Sequence, residues 1–114
     1  MTMTMQIAEG SIEQGWLAGV VLPVDPATAD TVEVAVVPRG TAPTGWAAAT
    51  VRDTEILPDG RWKFTIVTHT LGATGADQVL TRGTYDVWWQ AAAATWDPTP
   101  RRQAVGVLRY GPPQ

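Results

Sequence analysis

Hydrophobic and polar residues alternate along several short segments of the chain. In residues 31–37, TVEVAVV, the side chains of Val32, Val34 and Val36 fall on one side of an extended chain, and residues 61–69 alternate in the same way. Side chains of a β-strand point to opposite faces in turn, so a period of two predicts strands that are buried on one side. Helical spacing over eleven or more residues is not found in the sequence.

Six segments carry a strand pattern, and turns rich in Gly and Pro separate them. They are residues 16–24, 31–37, 48–52, 61–69, 83–93 and 103–111. Short strands at this spacing favour two packed antiparallel sheets. We therefore expect an all-β fold, an immunoglobulin-like antiparallel β-sandwich of about 6–8 short strands.

The length of the chain fits one domain. A chain of 114 residues can close a single core. We expect residues 16–111 to form the sandwich, residues 1–15 an N-terminal arm and residues 112–114 a C-terminal tail. The start, MTMTMQIAEG, has neither a basic nor an apolar segment, so no signal peptide is expected.

Composition and charge weigh against several classes of function. Eight Lys and Arg against eleven Asp and Glu give a net charge of −3, so we expect no binding to nucleic acid. With no cysteine and His69 as the single histidine, we expect no metal or other cofactor. Asp53 and Glu55 share a strand face and could in principle act as acid and base, but solvated carboxylates are the commoner case. We expect no enzyme, and with no apolar run of ~18 residues, no membrane partner.

Six tryptophans are more than one small core needs. Trp62 and Trp89 each share a strand face with other apolar residues, and we expect both of them in the core. Trp16 is the third core candidate. The other three tryptophans need a different explanation.

Trp88 lies on the polar face of its strand, together with Asp86 and Gln90. Trp46 ends a loop, and Trp96 precedes an Asp-Pro turn. Three interpretations stay open: packing under loops, an interface with another protein chain, and a platform for sugar rings. We take these five residues as candidates for a protein interface.

Several of these features recur together in one group of proteins. An alternating valine strand, a loop ending in Trp46 and the segments DGRWKFTIV, GTYDVWWQ, DPTP and AVGVLRYG follow one another over about residues 25–110. This order resembles that of small immunoglobulin-like β-sandwich proteins encoded among the virion structural genes of tailed phages and prophages of actinobacteria.

The resemblance implies a structural part in the phage particle. The expected role is capsid decoration or cementing by a homo-oligomer that binds the capsid or other virion proteins. The expected location is the virion, after synthesis in the host cytoplasm. A neck or tail accessory protein is the alternative within this class, and a carbohydrate-binding adhesion module, with glycan as the partner, is the alternative from another class.

Overall fold

In a computed structural model of the chain, the residues described are 3–93 and 101–112, with side chains described for 5–93 and 106–112. Within these ranges the chain forms nine strands and a single short 3-10 turn at Pro26–Thr28. The strands are β1 (Met3–Ala8), β2 (Ile12–Leu22), β3 (Thr31–Pro38), β4 (Ala47–Ala48), β5 (Thr50–Ile56), β6 (Trp62–Gly72), β7 (Gln78–Val79), β8 (Gly83–Ala92) and β9 (Arg101–Gly111). The expected all-β fold is confirmed, with nine strands where six segments were expected. β1 and the very short β7 lie outside those segments, and the expected segment at 48–52 is divided between β4 and β5.

The strands form two sheets. The five-stranded sheet has the order β1-β9-β8-β3-β4, and the four-stranded sheet has the order β2-β6-β5 with β7 beside β6. The β9-β8-β3 and β2-β6-β5 orders are those of the G-F-C and B-E-D strands of immunoglobulin domains. Most pairings are antiparallel, but β1 pairs with β9 and β7 with β6 in parallel. The fold is therefore an immunoglobulin-like sandwich of mixed sheets.

The core lies between the inner sides of the two sheets. Trp89 from β8 is 1% exposed, and its ring meets Phe64 from β6 edge to face, with centroids 6.4 Å apart and an angle of 82° between the planes. Such a geometry suits the charge distribution of aromatic rings. The expectation for Trp89 is confirmed. Trp62 lies only half-buried at the start of β6, and Trp16 is 51% exposed, so the expectation that Trp16 belongs to the core is wrong.

The start of the chain is part of the sandwich. β1 pairs with β9 from Met3 opposite Gly106 to Ala8 opposite Gly111, and Ile7 is fully buried in the core. The structure thus differs from the expected N-terminal arm over 1–15. The reason is a pairing between residues about one hundred positions apart, which no local pattern in residues 3–8 reveals.

A tyrosine fixes the entry into β8. The hydroxyl of Tyr85 donates to the carbonyl oxygen of Thr81 at 2.7 Å and accepts from the Thr81 backbone N–H at 2.9 Å. This is the arrangement known as the tyrosine corner in immunoglobulin-like domains. It sets the direction of β8, and with it the side to which each residue of GTYDVWWQ points.

Candidate interaction surface

The outer side of β8 and β3, here called the front face, carries most of the sequence-predicted candidates. Three cross-strand pairs form it: Asp86 opposite Val37, Trp88 opposite Ala35, and Gln90 opposite Glu33. Residues of β8 at the positions between them, such as Trp89, point into the core. The alternation predicted for this strand is therefore present, and Trp88 lies on the outside.

Trp88 is half-buried on the front face, so part of its side chain is covered by its own chain. Its indole Nε1 is buried and has no hydrogen-bond partner among the described residues. Ala35, directly opposite on β3, is only 3% exposed although it points outward. Side chains of directly opposite residues lie about 5 Å apart at Cβ, so we attribute the cover over Ala35 to the Trp88 ring. A small residue on β3 thus gives the indole room to lie against the sheet.

Asp86 and Gln90, on either side of Trp88 along β8, each form a hydrogen bond within the front face or with the loop beside it. Asp86 Oδ2 accepts a hydrogen bond from the backbone N–H of Gly40 at 2.8 Å, which ties the loop after β3 to β8. Gln90 Nε2 donates to Glu33 Oε1 at 3.0 Å. Both polar candidates therefore contribute to the rigidity of the front face.

Trp46 extends the Trp88 row toward the sheet edge. It directly precedes β4, whose Ala47 pairs with Val34 on β3. One further step along this antiparallel register places Trp46 beside Ala35 and on the same outer side. Trp46 is half-buried. With adjacent strands ~4.8 Å apart, the backbones of Trp46 and Trp88 lie roughly 10 Å apart across β3. Trp96 lies outside the described residues.

A second apolar surface, which the sequence pattern did not predict, lies on the outer side of the four-stranded sheet. This back face is formed by Ile12, Gln14 and Trp16 from β2, Val67 from β6 and Val79 from β7. Trp16, Ile12 and Val79 are about half exposed, at 51%, 47% and 56%. The segment that contains Trp16 is apolar on both sides, so alternation could not assign the faces.

His69 belongs to a chain of hydrogen bonds that bridges the sheets. Its Nδ1 lies 2.8 Å from Thr68 Oγ1, and its Nε2 lies 2.7 Å from Gln78 Oε1. Gln78 Nε2 then donates to the carbonyl oxygen of Val36, on β3, at 2.8 Å. The single histidine thereby helps to hold β6 and β7 against β3.

The two carboxylates at 53 and 55 are not arranged as expected. Asp53 has a left-handed backbone, with φ 54°, in a bulge of β5 between Arg52 and Glu55. The bulge interrupts the alternation that placed Asp53 and Glu55 on one face, so that expectation is wrong. Glu55 instead lies opposite Lys63, with 3.8 Å between the charged groups.

The loop before β7 contains Asp77, whose pKa is lowered by hydrogen bonds. The backbone N–H and the hydroxyl of Thr70 both bond to Asp77 Oδ2, at 3.2 and 3.1 Å, and these bonds hold the pKa of Asp77 below its ordinary value of 3.8. Hydrogen bonds to the charged form have this effect. The carboxylate is structural, since it fastens the loop before β7 to the end of β6.

The described part of the chain holds no group of three or more acidic or histidine side chains that could bind a metal ion. No helix in the same part is long and apolar enough to cross a membrane. Comparisons with protein families, curated proteins and solved structures give no match.

Proposed function

We propose that the chain is a non-enzymatic structural protein of a tailed-phage particle, which decorates the capsid as an oligomer and docks through its front face. The observation that carries the proposal is the apolar pair of Trp88 and Ala35 on the front face, which the β3-β4 register extends toward Trp46. An apolar centre inside a polar rim is the usual anatomy of a protein interface, with tryptophan a favoured anchor. The order of sequence features that resembles virion sandwich proteins supports the particle as the setting.

The rim of the front face is suited to being covered by a partner. Asp86 is bonded to Gly40, and Gln90 to Glu33. Polar groups that already have partners cost less to cover than groups that lose water without replacement. Each of these side chains thus keeps one hydrogen bond within the chain when a partner covers the front face.

The chemistry elsewhere supports a binding role over catalysis. His69 is engaged with Thr68 and Gln78 in the bridge between the sheets. Asp53 lies in a bulge and is exposed, as is Glu55. Catalytic acids and bases are more often found in clefts, whereas these two carboxylates are exposed on a strand.

A matched pair of exposed alanines tests the docking face. Ala48 on β4 lies beside Glu33 at the front face, and Ala18 lies exposed on β2, in the opposite sheet. We expect Ala48→Arg to weaken co-sedimentation with purified capsids of the encoding phage by at least tenfold, and Ala18→Arg to leave binding unchanged. Trp88→Ala should weaken it by ~2 kcal/mol or more if the ring is an anchor.

The alternatives give different results in the same experiment. Equal binding of both arginine variants would exclude the front face as the docking surface. Wild-type protein that binds purified tails but no capsid would favour the neck or tail role. Wild-type protein that ignores both, and whose tryptophan fluorescence changes on adding cell-surface glycan, would favour the carbohydrate-binding module.

A further inference from the structure

β2 forms a long edge of the four-stranded sheet. It lies at one end of the β2-β6-β5 order and, among the described residues, pairs with β6 alone. An edge strand presents a row of backbone N–H and C=O groups that another extended segment can bond. The kind of partner that suits this edge is therefore a β-strand.

The opposite edge of the same sheet, β5, is more strongly protected against strand pairing than β2. β5 carries Arg52, Asp53 and Glu55 together with the bulge at Asp53, and both charges and bulges discourage pairing. In β2 the only charged residue is Glu13, and the bulged residue with positive φ, Gly19, lies late in the strand. Residues 12–17 of β2 thus carry a single charge, Glu13, and have no bulged residue of their own, whereas β5 has three charged residues and a bulge.

The irregularity between Gln14 and Trp16 does not alter this stretch of β2. Gln14 pairs with Thr70 and Trp16 with Val67, so the extra residue belongs to β6. The Gln14 side-chain amide donates to the carbonyl oxygen of Thr68 inside this bulge. β2 therefore keeps its regular course while β6 takes up the insertion.

The pattern of residues 12–16 is complementary to itself. Ile12 and Trp16 lie four residues apart on the back face, each about half exposed. In a continuous antiparallel sheet, residues directly opposite each other share a face. A two-fold axis through Gln14 places Ile12 of one copy opposite Trp16 of the other, twice, and places Glu13 opposite Gly15, so no like charges meet.

We propose that two copies of this chain pair antiparallel along β2, centred on Gln14, and so join their four-stranded sheets into one. The pairing covers both Ile12 and Trp16 side chains, which one copy leaves exposed. The pairing rests on the proposed function in one respect, because it is the source of the oligomer assumed there. It leaves the front face open for docking. Two-fold symmetric contacts of this kind are the commonest way in which identical chains associate.

The contact between the two copies is small. Half of a tryptophan surface is ~100 Å², so the side chains and the strand edge together remain well below the ~800 Å² per partner of a standard stable interface. We therefore expect reversible dimers with dissociation constants in the micromolar range or weaker. On a repeated particle surface, such a weak link gains strength because both copies are held at once.

Sedimentation of the purified full chain tests the pairing. Wild-type protein should pass from monomer to dimer between ~10 µM and ~1 mM. Trp16→Lys should weaken the dimer at least tenfold. Thr50→Lys is the matched control, because Thr50 is exposed in the same cross-strand row, Trp16–Val67–Thr50, but on the protected edge. Wild-type protein that stays monomeric at the highest concentration, or equal weakening by both variants, would overturn the proposal.

A cross-linking experiment tests the register. The chain contains no cysteine, so single-cysteine variants give an unambiguous signal. Gln14→Cys should form a disulfide-linked dimer under mild oxidation, because the axis places residue 14 opposite its own copy at a distance that a disulfide can bridge. Ala18→Cys and Thr50→Cys should remain monomeric. Faster cross-linking of Ala18→Cys than of Gln14→Cys would contradict the centre at Gln14.

These experiments contain no capsid, so their outcome is separate from that of the docking test. If the wild-type protein dimerises, Trp16→Lys abolishes the dimer and neither protein binds capsids, the proposed pairing stands and the proposed role in the phage particle fails. If the wild-type protein binds capsids but is monomeric at all concentrations, the proposed role in the particle stands and the proposed pairing fails.

Discussion

Trp88 on the front face and Trp16 on the back face of the sandwich are held in different ways. On the front face, Trp88 lies half-buried against Ala35, between rows fixed by hydrogen bonds. On the back face, Trp16 is half exposed beside Val67. A small cross-strand neighbour lets a large ring lie down on the sheet, whereas a β-branched neighbour fills that space.

The difference shows that a side chain that points away from the core can still have little surface exposed to a partner. Trp88 points away from the core, yet much of it is already covered within its own chain. Trp16 keeps more free surface, and it lies on a strand with an open edge. The two proposals follow this difference: docking was proposed for the front face, and strand pairing for the β2 edge beside Trp16.

The largest effect is expected at the core neighbour of Trp88. Trp89→Ala should lower the free energy of unfolding by ~3–5 kcal/mol, because it empties the space beside Phe64 at the centre of the core. Urea unfolding measures the change. A loss as small as that of a surface substitution would mean that the two tryptophans of DVWW have exchanged faces, and the comparison would fail.

A smaller effect should separate the two outer tryptophans. Trp88→Ala should cost ~1–2 kcal/mol of unfolding free energy, because it uncovers Ala35, whereas Trp16→Ala should change it by no more than ~0.5 kcal/mol. Both are measured by urea unfolding at a concentration where the chain is monomeric. Equal losses for the two variants would contradict the difference between the faces.

The strand alternation visible in the sequence accounts for much of the front face. It placed Trp89 inside and Trp88 outside, because every second residue of TYDVWWQA is apolar enough to define the core side. It could not show that Trp88 would be half-covered. That depends on Ala35 across the strand pair, a neighbour more than fifty residues away.

The back face was harder to predict because its strand lacks alternation. β2 is apolar on both sides near Trp16, and Gly19, with φ 73°, adds a bulge that shifts the faces within the strand. The left-handed conformation of Asp53 has the same effect in β5. A bulge changes the side of the sheet that the following residues face, and the hydrophobic pattern of the sequence does not show where a bulge lies. The parallel pairing of β1 with β9 was missed for the related reason that it is not local.

The smallest expected effect is a pH dependence on the back side. The pKa of Asp77 is lowered by its bonds to Thr70, so the charged form stabilises the fold above the ordinary value of 3.8, and this contribution is lost as the pH falls through the folded-state value. Asp77→Asn should therefore lower the melting temperature at pH 6 by more than at pH 3. A gap between wild type and variant that is the same at both pH values would show that the charge of Asp77 has no part in this contact.

The exchange of the indole N–H protons with D₂O tests the difference between the faces most directly. In an ¹H–¹⁵N spectrum of dilute, monomeric protein, the signals of Trp88 and Trp89 should persist after transfer to D₂O, because both Nε1 atoms are buried, whereas the Trp16 signal should vanish before either of them. Loss of the Trp88 signal as fast as that of Trp16, or a protected Trp16, would contradict the account.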